Sequence, residues 1–283
     1  MAVVLALAGC TDGRSPFAPG PGGSEAVLVG AGDIAVCGSP GTVATARLLD
    51  EIPGTVFTAG DNAYPHGSPE NFRDCYEPTW GRHKGRTYPS PGNHEYEAPG
   101  AAPYFAYFGA NAGPPGLGYY RYELATWYVY SLNSNVDVGA ASPQLQWLRR
   151  NLMTEPATCT LAYFHHPLAS SGPHGGQPAL RDLWRLLHEF GVDVVITGHE
   201  HFYERFLPQD PNGMPDLQGG IRQFIVGTGG AQLFGFLRAH PNSEARITEF
   251  GVLRLTLRPD SYRWEFLSAD GGAVRDAGIG LCH

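Results

Sequence analysis

Five short polar blocks set glycine beside side chains able to bind metal: Gly32-Asp33, Gly60-Asp61-Asn62-Ala63-Tyr64, Gly92-Asn93-His94-Glu95, His165 behind Ala162-Tyr163-Phe164, and Gly198-His199-Glu200-His201. Asp, Asn, His and Tyr supply oxygen and nitrogen donors, a set suited to hard or borderline divalent and trivalent ions. One Gly-Asp pair alone reads as a turn, and one strand-end His as a hydrogen-bonded surface residue. All five in order, each behind an extended run, read as one metal site. The glycines let the chain turn sharply and bring the donors together.

The elements that must position these blocks follow from hydrophobic patterning. Residues 26–30 (AVLVG), 55–59 (TVFTA), 160–164 (TLAYF) and 192–197 (VDVVIT) are short, apolar and bounded by Gly, Asp or His, as expected for strands buried on both faces. Residues 86–91 form a further extended segment ahead of the third block. Helices are expected over 43–51, over 143–153 with Ser142 as N-cap and Pro143 at the first position, and over 179–190, closed by Gly191. A more alternating, aromatic set, 119–124, 127–132, 223–226, 252–257 and 262–267, predicts antiparallel hairpins, with Pro259-Asp260-Ser261 turning between the last two. In such α/β sheets the carboxyl ends of strands open into a common crevice, where the polar blocks would meet. No repeat and no linker divides the chain after residue 25, so residues 26–283 read as a single domain of two packed sheets with outer helices.

Composition narrows the classes. The 283 residues are 42% hydrophobic, enough for a large core, while a net charge of −8 with scattered Lys and Arg argues against a nucleic-acid polymer as main partner. No apolar run reaches the roughly 18–20 residues that span a bilayer, which excludes a transmembrane transporter. Residues 1–10 (MAVVLALAGC) read as a truncated signal segment, and Leu7-Ala8-Gly9-Cys10 resembles a bacterial lipobox whose Cys10 carries a lipid anchor. Residues 11–25 are rich in Gly and Pro and suit a tether. The expected localisation is extracytoplasmic, as a bacterial lipoprotein or secreted protein. Beyond Cys10, four cysteines remain, and four allow three pairings. Cys37 and Cys75 each follow a candidate ligand Asp, whereas Cys159 opens a strand and Cys282 lies near the end. Cys37–Cys75 and Cys159–Cys282 are therefore the expected disulfides. The absence of CxxC or CxxH spacing counts against a Cys-based zinc site.

The five blocks resemble the calcineurin-like metallophosphoesterase superfamily, whose pattern is GD, GDxxx, GNH[DE], a lone His and GHxH. Within it, GDNAY, GNHE, AYFH and GHEHFYER resemble the purple acid phosphatase branch, over residues 26–267 and without the N-terminal β domain of the plant enzymes. Ala35 stands where that branch usually has Gly, and Gly175 where some members carry a paired His. The resemblance implies a four-layer αββα sandwich of two packed mixed β-sheets flanked by helices. It implies that Asp33, Asp61, Tyr64 and His201 hold a first metal, and that Asp61 bridges to a second completed by Asn93, His165 and His199. Two metals about 3.5–4 Å apart can clamp a phosphoryl group and activate water.

The implied reaction is hydrolysis of a small phosphate monoester by in-line attack of a metal-bound hydroxide. His94 would assist the leaving group and contact substrate, Glu95 would orient it or stand solvated beside it, and His174 would bind phosphate. Phosphodiester hydrolysis, cyclic nucleotides included, is the alternative with the same metals; a catalytically silent binding or scaffold protein is the alternative of another class. Tyr64 bears on metal identity, because a phenol with a reference pKa near 10 needs a strong Lewis acid to ligate as phenolate. If it ligates, Fe(III) plus Zn, Mn or Fe(II) is expected; otherwise two divalent ions, Mn or Zn. Of the adjacent His165 and His166, only one is expected to face the metals, since neighbours on a strand point oppositely. The x-Pro spacing of the family selects His165.

Overall fold

A computed structural model describes residues 25–283, so the lipid-anchor expectation at Cys10, the signal segment and nearly all of the tether lie outside the described residues. The first sheet runs β13–β12–β11–β1–β2–β3. Its strands are β1 (Ala26–Ala31), β2 (Thr55–Ala59), β3 (Thr87–Ser90), β11 (Gly251–Leu257), β12 (Ser261–Ser268) and β13 (Val274–Leu281). The second runs β10–β8–β9–β7–β6–β5–β4. It comprises β4 (Tyr120–Leu124), β5 (Trp127–Ser131), β6 (Cys159–Tyr163), β7 (Val194–Thr197), β8 (Tyr203–Phe206), β9 (Arg222–Val226) and β10 (Ser243–Ile247). Both sheets are mixed: β1–β2–β3 and β5–β6–β7–β9 are parallel, and the outer strands pair antiparallel.

Every residue of β6 and β7 is buried, because each strand has both faces covered. Along β6, Leu161 and Tyr163 enter an apolar cluster shared with the first sheet, whereas Ala162 faces a second cluster beneath helices. That second cluster takes Leu145, Leu148 and Leu152 from α4 (Pro143–Thr154), and Leu183, Trp184 and Leu187 from α5 (Arg181–Glu189). On the other side, α1 (Pro40–Glu51) contributes Ala46 and Leu49 against the first sheet. Cross-sheet contacts such as Phe57 with Tyr163 and Tyr203 with Phe266 fill the space between. The result is the expected layering, two mixed sheets face to face with helices outside. Two further helical pieces lie in long connections, α2 (Pro69–Asn71) between β2 and β3 and α3 (Ala102–Phe108) in the crossover from β3 to β4 of the second sheet.

The two disulfides pair as expected, Cys37–Cys75 and Cys159–Cys282, with Cα atoms 4.6 and 5.3 Å apart. Several elements differ from the sequence reading. The run 223–226 is not half of a hairpin: β9 is an interior strand, parallel to β7 and antiparallel to β8, and four of its five residues are buried. Strands β8, β10 and β13 were not expected. The latter two are edge strands with exposed or half-exposed residues throughout and so carry no apolar run. α1 starts at Pro40, three residues early, because Pro at the first helical position suits a helix start.

Candidate metal centre

Each polar block leaves the carboxyl end of a strand. Asp33 follows β1, Asp61 follows β2, Asn93 follows β3, His165 follows β6, and His199 and His201 follow β7. The first two loops stay paired beyond their strands, with Ile34 N donating to Asp61 O (2.9 Å) and Tyr64 N to Ala35 O (2.9 Å). The turn from the second sheet is fastened to the first by His199 N, which donates to Asp33 Oδ2 at 2.8 Å. Glycine is required where these loops touch. A Cβ on Gly92 would sit 2.1 Å from Asp61 Oδ1, and one on Gly198 2.5 Å from Asp33 Oδ2. Asp33, Asp61 and His199 themselves have φ of 58°, 49° and 69°, in the left-handed region that L side chains seldom occupy.

The seven side chains singled out in the sequence converge as two groups that share Asp61. In one, Tyr64 Oη lies 2.9 Å from Asp33 Oδ1, 3.1 Å from Asp61 Oδ2 and 3.2 Å from His201 Nε2, and His201 Nε2 is 3.2 Å from Asp33 Oδ1. In the other, His165 Nε2 lies 3.2 Å from Asp61 Oδ2 and 3.0 Å from Asn93 Oδ1, with His199 Nδ1 3.1 Å from Asn93 Oδ1 and 3.2 Å from His165 Nε2.

The chemistry of this donor set fits cations. His165 Nδ1 donates to Ala59 O (2.9 Å) and His201 Nδ1 to Gln232 O (2.6 Å), which leaves each neutral ring with a bare Nε2 aimed inward. His165 Nε2 then faces an amide oxygen, a carboxylate and an imidazole nitrogen of His199. Burial opposes a proton there, yet the Asp61 carboxylate raises His165 to about 9, so a cation of some kind is favoured at that point. His199 is pushed down to about 2 by burial and by the neighbouring His165 and His166, so it is neutral and offers a lone pair. Tyr64 is raised well above its usual value by burial and by Asp33 and Asp61, which keeps it a hydrogen-bond donor unless a strong Lewis acid replaces its proton.

His94 and His174 lie at the mouth. His94 is 29% exposed, with Nε2 3.7 Å from Asp61 Oδ2 and its ring 4.5 Å from that of Tyr64. Its Nδ1 bonds to Pro65 O, and its backbone N donates to Asp61 Oδ1 at 2.9 Å. His174 has Nδ1 3.3 Å from Glu200 Oε2 and its ring 4.8 Å from that of His199.

Two expectations need correction. Glu95 neither orients His94 nor meets solvent. It is fully buried and accepts from Asn62 N (2.8 Å), Ala63 N (3.2 Å) and Gly92 N (2.7 Å), fastening the Asp61 loop to the Asn93 loop. His166 does not point away, since its ring is 4.9 Å from that of His165 and 4.5 Å from that of His199. β6 ends at Tyr163, so the alternation of a strand no longer applies two residues on. Glu200, between the two histidines of its block, is another buried anchor, accepting from His174 N (3.0 Å) and Gly175 N (2.8 Å). No local pattern marks Glu95 or Glu200 as buried, because their donors come from other loops.

Comparison with known proteins agrees with this geometry. Purple acid phosphatase 18 of Arabidopsis thaliana is 33% identical over 118 residues, 40% of this chain and 26% of that protein. Tartrate-resistant acid phosphatase type 5 of Mus musculus is 31% identical over 142 residues, 49% of this chain and 42% of that protein. The matched stretch thus spans less than half the length of either relative. A purple acid phosphatase from yellow lupin (Lupinus luteus) seeds has the same fold, with a TM-score of 0.75 at 20% identity over 90% of this chain and 53% of that one. Residues 28–203 match the calcineurin-like phosphoesterase family, and the chain belongs to that family, within which it is similar to the purple acid phosphatases.

Proposed function

We propose that this chain hydrolyses phosphate monoesters of small alcohols or phenols, with two cations held by Asp33, Asp61, Tyr64 and His201 and by Asp61, Asn93, His165 and His199. The observation that carries the reading is the pair of four-residue groups sharing one carboxylate. Two bound cations would supply Lewis-acid polarisation of the phosphoryl oxygens and a reactive water. Asp61 Oδ2 faces both groups, 3.1 Å from Tyr64 Oη and 3.2 Å from His165 Nε2, while Oδ1 accepts from His94 N. Tyr64 Oη points into the first group, which supports Fe(III) there, with Zn, Mn or Fe(II) in the second.

The roles of the remaining residues follow from where their polar atoms face. The Pro65 carbonyl holds Nδ1 of His94 as a donor, so Nε2 is the atom turned to the ester. In hydrolysis the P–O bond to the alcohol breaks and oxygen from water takes its place on phosphorus. His94 Nε2 delivers the proton that the departing alcohol oxygen requires. Glu200 positions His174 at the rim, where its ring can meet a phosphate oxygen. The two disulfides support an oxidising, extracytoplasmic setting. Residues 26–283 are read as one catalytic unit.

Asn93→Ala tests the reading. The metal content should fall below two per chain, and turnover of p-nitrophenyl phosphate should fall on the order of 100-fold or more. Full turnover in the purified variant would refute it. Faster hydrolysis of bis(p-nitrophenyl) phosphate than of the monoester would make the chain a diesterase, and a metal-loaded protein inert to both would make it a binding protein.

A further inference from the structure

Beside the second ligand group lies a cavity of ≈ 370 Å³ that none of the roles above uses; its lining includes His166, Ser134, Asp137, Val138, Gln177 and Ala179. His166 forms the wall toward the candidate metal centre, with its ring 4.5 Å from that of His199. A second stretch of the wall, residues 134–139, adjoins His166 through Ser134 and is tied to the loop that carries Asn93 and His94. Asn135 Nδ2 donates to Pro91 O (3.0 Å), and Asn133 Nδ2 donates to Tyr96 Oη (2.6 Å). Gln144 of α4 braces the same wall, accepting from Asn133 N at 2.8 Å and donating to Asn133 O at 2.9 Å. The cavity therefore adjoins His199 and shares its wall with the loop that carries His94.

Its chemistry is selective. Val138 and Leu180 are buried and give it an apolar floor; among the described residues Asp137 is its only charged lining residue, and no Lys or Arg lines it. Ser134 Oγ accepts from His166 N (3.1 Å) and is hydrogen-bonded to His166 Nδ1 (2.8 Å), which fixes the ring against the cavity. We propose that this cavity is the subsite for the alcohol half of the ester, that His166 and Asp137 determine its specificity, and that it selects a neutral or cationic alcohol over one carrying a second anion. The proposal rests on the phosphoesterase reading and adds a substrate class to it. A mostly apolar pocket with a few directed polar groups is the usual form of a small-molecule site. A carboxylate at its rim repels a second anion.

The test compares kcat/KM of the metal-loaded full chain for phenyl phosphate, phosphocholine and 3-phosphoglycerate. Wild type should prefer the first two by about tenfold or more. Asp137→Lys should shift the ratio of phosphocholine to 3-phosphoglycerate by about tenfold toward the latter. Ala179→Trp, which fills the cavity from its rim, should lower kcat/KM for phenyl phosphate about tenfold, while calorimetric binding of inorganic phosphate stays within about twofold. Thermal melts of both variants exclude unfolding as the cause. If wild type turns over all three esters and both variants leave their ratios within about twofold, the subsite assignment is overturned and the phosphoesterase reading survives. If wild type hydrolyses none of them, the phosphoesterase reading fails and the subsite with it.

Discussion

Two polar clusters in this molecule invite comparison. At the far edge of the sheets, Asp276 of β13 accepts from Tyr203 Oη (2.7 Å), Arg205 Nε (2.8 Å), Arg205 Nη2 (3.1 Å) and Trp264 Nε1 (3.1 Å). Every acceptor there meets a donor, and the guanidinium balances the charge. At the carboxyl ends of the strands the arrangement is reversed. Asn93 Oδ1, Asp61 Oδ2, His165 Nε2 and His199 Nδ1 crowd together, two oxygens and two imidazole nitrogens, and among the described residues no Lys or Arg is bonded to them. A satisfied network holds the fold together, whereas converging lone pairs call for a cation. Polarity and acidity are common to both clusters. The balance of donors to acceptors distinguishes them.

The contrast can be broken most forcefully at Gly92. Gly92→Ala would drive a methyl group against Asp61 Oδ1 and Asp61 N, 2.1 and 2.2 Å away, and displace the shared carboxylate. A displacement of this kind should lower kcat about 100-fold. Elemental analysis should show fewer than two ions per chain, and an unaltered rate and metal content would remove the geometric basis of the shared Asp61.

Asp276→Asn should act in the opposite manner, lowering unfolding free energy by about 2 kcal/mol while leaving metal content intact. Burial works against the Asp276 charge, but hydrogen bonds from Arg205 and Tyr203 and the guanidinium charge outweigh it, holding the carboxyl below its usual 3.8. The stabilisation is therefore present above that value and is lost as pH falls through the lowered folded one. Denaturant melts should show wild type and variant drawing together on acidification. A gap that widened instead would reverse the sign.

Tyr64→Phe should have the smallest energetic effect, slowing turnover about tenfold, equal to about 1.4 kcal/mol of barrier. Its sharper readout is optical. An Fe(III)–phenolate absorbs visible light, so concentrated wild type should be coloured and the variant pale. Colour surviving in Tyr64→Phe would remove the phenol from the metal centre.

Much of this was legible in the sequence because it is local. The five blocks declare themselves through residue type and through the apolar run before each. The disulfide pairing followed from where each Cys stands relative to those runs. What stayed hidden depends on partners distant in sequence. Glu95 reads as one more surface acid until Asn62, Ala63 and Gly92 surround it. His166 reads as turned away until the strand is seen to end at Tyr163. β10 and β13 escape because edge strands with exposed faces lack the apolar continuity that marks their interior neighbours.

The backbone at Asp33, Asp61 and His199 has a practical consequence for anyone improving this protein. Left-handed geometry at a residue with a Cβ costs about 1 kcal/mol, which glycine would recover. A library screened only for heat resistance should therefore drift toward glycine at His199, whose side chain, unlike the carboxylates of Asp33 and Asp61, accepts no backbone N–H, and its sturdiest members would have discarded one of the side chains that converge in the crevice.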